Sequence, residues 1–406
     1  MQFGERSVVG AQAEKLHSLT SLRFFAALLV VMHHTFRDLV KVPGLSDVVW
    51  LGTVGVSFFF ALSGFVLTWS LREDDTKRAF YRRRFARVYP LHLIALVLGV
   101  GVFLFVGKGF DARQFLAGAA LLQAWIPDSK VYFALNAPSW SLSCEALFYA
   151  AFPFFAARLV RMGRPGLWKM LAATVGLSLV IAGTVTMALT PGDGAQFWLY
   201  IFPPFRILEF VAGCLLALLI KSGWRSPFTL PAAAVSAGVI YTVLMGSNRQ
   251  GFALGNGLED AIMLPFILAV IASAATASLT GREGFLAHPW AVRLGEWSFA
   301  LYITHWLLLL LVEHLDPGSK ARPVAFQLLE GCLFVLLAVA ISAAAYTWIE
   351  KPLEKRLRGP PSAACGPDAA APLDARPVAA DLLRGKSRQA GGALGRCQPA
   401  RIAAVA

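Results

Sequence analysis

Charge and cysteine are both scarce in this 406-residue chain. Only 15% of the residues are charged and 57% are hydrophobic, whereas an ordinary soluble domain has about 25% charged residues. The five cysteines include no CxxC pair, and the chain has no HExxH motif, so neither a disulfide framework nor a metal site is indicated. The net charge of +13 comes from basic residues at the ends of apolar runs and in the C-terminal part. That pattern disfavours nucleic acid as a partner and favours a lipid bilayer.

Long apolar runs predict an all-α, polytopic integral membrane helix bundle with about ten transmembrane helices. The runs lie at about 19–37, 48–71, 88–107, 141–157, 168–189, 198–220, 228–246, 260–279, 295–314 and 324–349. The apolar run at 115–126 is too short to cross a membrane, so it is interpreted as an interfacial or re-entrant part of a long loop.

Three regions follow from these runs. Residues 1–18 are interpreted as a short cytoplasmic segment before a retained first helix, and 19–357 as the transmembrane domain. Residues 358–406 are rich in Pro, Ala and Gly and are predicted to be a disordered cytoplasmic tail. The loops on the side of the N-terminus hold 19 Lys and Arg residues, against eight on the other side. This bias predicts that both termini are cytoplasmic.

The first apolar run carries ionisable residues near both of its ends. On a helix, Arg23 and His34 fall on nearly the same face and lie about 16 Å apart along the axis. His33 is turned away by about a quarter turn. An ionisable residue in hydrocarbon is interpreted by default as facing a bundle interior or a wet cavity. The first helix is therefore predicted to form the wall of a site.

Two further motifs have a structural and a functional interpretation. In FFFALSGFV, Ser63 and Gly64 could form a packing point between helices, or Ser63 could let a substrate approach the backbone. In RRRFARVYPLH, Arg84 and Arg87 recur at i, i+3 before the apolar run. They could be positive-inside anchors, or two guanidiniums that bind an anionic cytosolic donor through its phosphates.

The remaining candidates are single residues in later helices. Glu145, in PSWSLSCEALFY, is predicted to lie in the same outer half of the membrane as His34, so the pair could fix the tautomer of the imidazole. The alternative is a lone carboxylate held by a helix N-terminus. Four other residues are interpreted first as structural and only second as supporting the site: Arg206, Glu209, His305 and Glu350.

In their order along the chain, these motifs resemble the membrane-bound acyltransferase-3 family, which includes the O-antigen and exopolysaccharide acetylases. The resemblance covers about residues 17–357 and rests on six groups: Arg23 with His34 eleven positions on, Ser63 to Phe65, Arg84 and Arg87 before Tyr89 and Pro90, Trp140 to Tyr149 with Glu145, Tyr302 to Trp306, and Glu350 to Pro352. Lys351 stands where the family often has arginine, and His33 makes a double histidine.

The resemblance implies an inner-membrane enzyme that transfers an acyl group, often acetyl, from cytosolic acyl-CoA to a hydroxyl of a glycan or its lipid-linked precursor. It implies an essential role for His34 and donor binding by Arg23, Arg84 and Arg87. We hypothesise that His34, oriented by Glu145, deprotonates the acceptor, while Arg23 either binds the donor or stabilises the oxyanion. The alternatives are a lipid or macrolide-like acceptor, or a transporter or flippase that uses the same buried residues as a pathway. No permanently bound cofactor is expected, and the sequence does not indicate an oligomeric state.

Overall fold

The structure, a computed structural model, describes residues 15–71, 76–189, 193–249 and 254–359. Within these ranges ten helices are long and apolar enough to cross a membrane, as predicted, and no strand occurs. We number them α1 to α10: His17–Leu39, Leu45–Trp69, Lys77–Phe105, Ala137–Val160, Arg164–Ala188, Gly194–Lys221, Leu230–Ser247, Gly257–Leu279, Pro289–Leu315 and Val324–Arg358. The predicted segments 1–18 and 358–406 lie outside the described residues, except for 15–18 and 358–359.

Contacts between helix ends define two ends of the bundle. At the end where α1 begins, called the near end, Ser18 donates to Glu283, which precedes α9. At the opposite or far end, Ser319, after α9, donates through its hydroxyl to the carbonyl of Leu39 at the end of α1, at 2.8 Å. The near end is the one that the distribution of basic residues predicts to face the cytoplasm.

The helix α3 is longer than predicted at its near end. It begins at Lys77 rather than at about 88, and the Thr76 hydroxyl caps it by accepting a hydrogen bond from the backbone N–H of Ala79 at 3.2 Å. Long basic side chains can extend from such a helix end toward the membrane interface, so the polar start does not stop the helix. Arg84 and Arg87 consequently stand within a regular helix, on adjacent turns of one face.

The loop between α3 and α4 is folded into the far end of the bundle. It contains three short helical pieces, Ala112–Ala119, Gln123–Trp125 and Ser129–Tyr132, none of which is long enough to span a membrane. The Tyr89 hydroxyl donates to the carbonyl of Ala119 at 3.1 Å, which ties the loop to α3. Ala124 and Leu135 are fully buried. The loop is therefore part of the packed bundle.

Glycines allow the two closest helix approaches that position the site. A Cβ atom on Gly64 of α2 would lie 1.9 Å from the carbonyl oxygen of Phe210 on α6, and one on Gly213 would lie 1.8 Å from that of Ala61. On α9, a Cβ at Gly295 would lie 1.9 Å from the carbonyl oxygen of Thr20 on α1. Small residues permit such backbone contact. The structural interpretation of Gly64 is thus confirmed, and the contact at Gly295 sets α1 against α9.

Replacing Gly64 with alanine is expected to destabilise the protein by more than the roughly 1–3 kcal/mol of ordinary overpacking, because the new methyl group would meet backbone rather than a movable side chain. Thermal inactivation of the detergent-purified protein measures this loss. Gly176→Ala on α5 is the matched control, since nothing lies within 4 Å of the position of its Cβ. Equal stability of the two variants would contradict the packing described for α2 and α6.

Candidate active site

Three arginines from two helices line one cavity of about 100 Å³ at the near half of the bundle. Arg23 comes from α1, and Arg84 and Arg87 come from α3. The same cavity is lined by Ser63, whose neighbour Gly64 packs on α6 instead, so the two residues of this motif have separate roles. The structure therefore brings together the predicted donor-binding residues.

The three guanidiniums differ in their partners. Among the described residues, neither Arg23 nor Arg84 has a carboxylate within ion-pair distance, and the Arg84 Nε atom is buried without a hydrogen-bond partner. The Arg87 Nη1 atom lies 2.6 Å from Glu350 and 3.0 Å from Glu354, both near the end of α10. Glu350 is 1% exposed and Glu354 is 24% exposed. Arg87 thus has one buried and one solvent-accessible carboxylate partner.

Glu145 also lies in the arginine cavity, and this corrects the expected pairing with His34. Its carboxylate accepts a hydrogen bond from the Tyr149 hydroxyl at 2.7 Å. The expectation placed Glu145 too close to the far end, because it took the helix to begin at about residue 141. The helix α4 begins at Ala137, so Glu145 lies eight residues, or about 12 Å, along it. Glu145 is therefore level with Arg23, and it takes Tyr149 as its partner.

A second cavity, of about 40 Å³, adjoins the first on the side of the far end. Both cavities are lined by Arg23, Glu145, Phe59 and Phe299, and the second one reaches Ser141 and Tyr302. The Tyr302 ring lies 6.2 Å, centroid to centroid, from the ring of His305. Tyr302 thus lies between the second cavity and His305, and neither His34 nor His305 lines either cavity.

The two histidines of α1 are held differently. His33 is 2% exposed, its Nδ1 lies 3.0 Å from the carbonyl of Val49, and its Nε2 lies 3.1 Å from Arg37. Both ring nitrogens of His33 are therefore engaged. His34 uses Nδ1, which lies 3.2 Å from Nε2 of His305, and its own Nε2 has no hydrogen-bond partner among the described residues. This geometry favours His34 over His33 as the reactive histidine.

Arg206 and Glu209 form a buried cluster that is separate from the arginine cavity. The Arg206 Nη1 atom lies 3.1 Å from Glu209 and 2.9 Å from Asp260 on α8, and Nη2 donates to the Ser57 hydroxyl at 2.8 Å. The guanidinium, which is 0% exposed, also stacks over the ring of Phe60. The cluster joins α2, α6 and α8, as the structural interpretation of Arg206 and Glu209 predicted.

Two residues at the cavity were not singled out as site residues. Tyr149 lies four positions after Glu145, and Glu354 lies four positions after Glu350, which is the spacing that places side chains on one helical face. That spacing indicates proximity within one helix. It does not indicate that Glu354 would meet an arginine of α3.

The described part of the chain holds ten apolar helices, five of which line a cavity with three arginines, and this defines a polytopic membrane protein with an ionisable site inside the bundle. The chain belongs to the acyltransferase-3 family, because the family model described as an acyltransferase domain matches residues 16–347. It is an acyltransferase of the multi-pass membrane type.

Three relatives illustrate the range of the family. Acyltransferase MdmB of Streptomyces mycarofaciens is 34% identical over 379 residues, which is 88% of this chain and 96% of that protein. The exopolysaccharide production protein ExoZ of Rhizobium meliloti is 29% identical over 76% of this chain and 91% of its own length. The peptidoglycan O-acetyltransferase OatA of Listeria monocytogenes is 23% identical over 83% of this chain, which spans 56% of that protein. No solved structure matches the chain.

Replacing Arg206 with methionine is expected to destabilise the bundle by about 3–5 kcal/mol, because two buried carboxylates lose their shared counter-charge. The triple variant Arg206→Met, Glu209→Gln, Asp260→Asn is expected to regain much of the folded yield. Size-exclusion chromatography of the purified variants measures that yield, and transfer activity per folded molecule should stay near wild type in the triple variant. A triple variant that folds but is inactive would show that the cluster takes part in the chemistry.

Proposed function

We propose that this protein transfers an acyl group, in particular acetyl, from acyl-CoA bound at the near end to a hydroxyl group at the far end. The acceptor is a cell-surface glycan or its lipid-linked precursor. The observation that carries the proposal is the pair of guanidiniums with no carboxylate within ion-pair distance among the described residues, Arg23 and Arg84, in a cavity that adjoins a second one lined by Tyr302, one turn from His305 on α9. Unpaired charge inside an apolar bundle is unfavourable unless a ligand or water compensates it.

The donor site is suited to phosphate groups. Guanidiniums bind phosphate through paired hydrogen bonds, and Arg84 and Arg87 line the first cavity, in the half of the bundle that is predicted to be cytoplasmic, whereas Arg23 also lines the second cavity. Arg23 lies farther along the cavity, where the pantetheine arm would pass, and serves either binding or the developing oxyanion. Ser63 presents a small side chain to the same path. Acyl-CoA is a consumed substrate here, not a resident cofactor.

The chemistry requires a base for the acceptor hydroxyl, which is a poor nucleophile at neutral pH. In this mechanism Nε2 of His34 takes the hydroxyl proton while the acceptor oxygen attacks the thioester carbonyl carbon. The carbon–sulfur bond then breaks, and the proton passes from His34 to the leaving thiolate. The products are the O-acyl ester and free CoA, so atoms and charge balance.

The acceptor class is supported by the names of two relatives, an exopolysaccharide production protein and a peptidoglycan O-acetyltransferase. A glycan of this kind is exported across the cytoplasmic membrane, which is where a protein with both termini in the cytoplasm would work. A lipid or a small macrolide-like molecule as the acceptor is the alternative. Mass spectrometry of surface glycans from cells with and without the gene distinguishes them: the glycan proposal predicts loss of an ester-linked acyl group.

Replacing His34 with alanine is expected to lower transfer from labelled acetyl-CoA by roughly 10²- to 10⁴-fold, because the base is lost. The KM for acetyl-CoA should change little, because His34 lies about 16 Å from Arg23 along α1. Thin-layer separation of the labelled acceptor from labelled acetate measures transfer and hydrolysis separately. A folded His34→Ala protein with wild-type transfer would remove His34 from the mechanism.

Two substitutions in the donor site should act in opposite directions. Arg84→Gln removes a phosphate ligand and should raise the KM for acetyl-CoA about tenfold or more, since a charge-assisted hydrogen bond contributes about 1.5–3 kcal/mol. Glu354→Gln removes the accessible carboxylate that competes with phosphate for Arg87 and should lower that KM severalfold. Initial rates at varied acetyl-CoA measure both effects.

Arg78→Gln is the matched control for these two variants, because Arg78 is an exposed arginine on the same helix outside the cavity. Its KM should equal that of the wild type. If Arg84→Gln and Arg78→Gln behave alike, Arg84 is a topology anchor and not a donor ligand.

A further inference from the structure

The second imidazole at the far end, His305 on α9, has a defined place in a hydrogen-bonded chain. His305 is 0% exposed, its Nδ1 lies 3.1 Å from the carbonyl oxygen of Leu301, and its Nε2 lies 3.2 Å from Nδ1 of His34. The two rings are 5.2 Å apart between centroids and tilted by 38°. His305 thus touches His34 without lining either cavity.

The hydrogen bond between His305 and the Leu301 carbonyl determines which ring nitrogen donates in the hydrogen bond between His305 and His34. A backbone carbonyl only accepts, so Nδ1 of His305 must carry a hydrogen. In a neutral imidazole the other nitrogen, Nε2, then holds a lone pair and can only accept. Nδ1 of His34 must therefore be the donor. Neutral His34 consequently has its lone pair on Nε2, the nitrogen that has no partner among the described residues.

We propose that His305 is the positioning residue that fixes the reactive tautomer of His34. This inference rests on the proposed role of His34 as base, and it assigns to an imidazole the task that Glu145 was expected to perform. When His34 takes the acceptor proton at Nε2, its Nδ1–H becomes a stronger donor, and the lone pair of His305 stabilises the imidazolium. Without His305, the ring of His34 is free to place its hydrogen on Nε2 and its lone pair on Nδ1, where it cannot accept the proton.

Contacts of the neighbouring residues on α9 hold His305 in place. Its neighbour Tyr302, one turn earlier on α9, donates to the carbonyl of Pro138 and the hydroxyl of Ser141, both at 2.9 Å. The Trp306 ring packs edge-on against His34 at 5.1 Å. The groups around His34 are therefore His305 and Trp306 on α9 and, on its own helix, the ring of His33 at 5.1 Å, the Val30 carbonyl and the Arg37 guanidinium.

The test compares two substitutions of similar size. His305→Gln places a carbonyl oxygen near the position of Nε2 and can still accept from His34, whereas His305→Leu cannot. We expect His305→Leu to lower kcat by about 10- to 100-fold, the range seen when an orienting partner of a functional histidine is removed. The KM for acetyl-CoA should stay within twofold. His305→Gln should recover most of the kcat.

A matched control is His314→Leu, the same change at an exposed position of the same helix, which should leave kcat unchanged. If His305→Leu and His305→Gln lower the yield of folded protein to the same extent and leave kcat per folded molecule unchanged, His305 is structural and the proposal is wrong.

Nitrogen-15 NMR of histidine-labelled protein in nanodiscs gives a readout that does not depend on activity. The His34 signals, assigned by their loss in His34→Ala, should show a protonated Nδ1 in the wild type and in His305→Gln, and a protonated Nε2 in His305→Leu. A protonated Nε2 in the wild type would overturn the inference. If the tautomer is as proposed but His34→Ala retains activity, the proposed function fails and the tautomer assignment stands.

Discussion

The central constraint in this structure is positive charge held inside an apolar bundle. Moving a charge to the middle of a bilayer is unfavourable by about 2.5–3.5 kcal/mol even on insertion scales. Arg206 meets this constraint with two carboxylates and a hydroxyl, and it is fully buried. Arg23 and Arg84 have no such carboxylate among the described residues and instead face a cavity. This difference in pairing distinguishes Arg206 from the two arginines to which the proposed function assigns donor binding.

The second organising feature is the contact between α1 and α9. The absence of a side chain at Gly295 lets the two backbones touch near Thr20, and this contact lies at the end of the bundle opposite His34. From there α1 carries Arg23 and His34 on nearly one face, while α9 brings His305 against His34. One helix pair thus spans the distance between the proposed donor site and the proposed base. In the proposed mechanism, donor binding and proton transfer therefore take place toward opposite ends of the bundle.

Much of this arrangement could be predicted from the sequence. The ten spans follow from apolar run length alone, and the unfavourable energy of intramembrane charge indicates that Arg23 and His34 face the bundle interior. The start of α3 was less accurate, because its first turns are rich in basic residues and carry no apolar signal. The sequence did not predict which side chains of the site contact one another.

The pairing of Glu145 shows why partners were harder to predict. Its expected contact with His34 assumed that two residues at similar depth meet, but depth was counted from a helix start that lay four residues too late. Depth also says nothing about the direction in which a side chain points. The contacts of His34 with His305 and of Arg87 with Glu354 join residues 271 and 267 positions apart. Only the packing of α10 on α3 and of α9 on α1 brings them together.

The most direct test is an experimental structure of the protein in nanodiscs with acetyl-CoA bound, for which the His34→Ala variant prevents turnover. We expect phosphate density against Arg84 and Arg87, with Glu354 withdrawn from Arg87, and the thioester beyond Arg23 on the side of Tyr302. Density for CoA elsewhere, with Arg23 and Arg84 still unliganded, would contradict the proposed donor site.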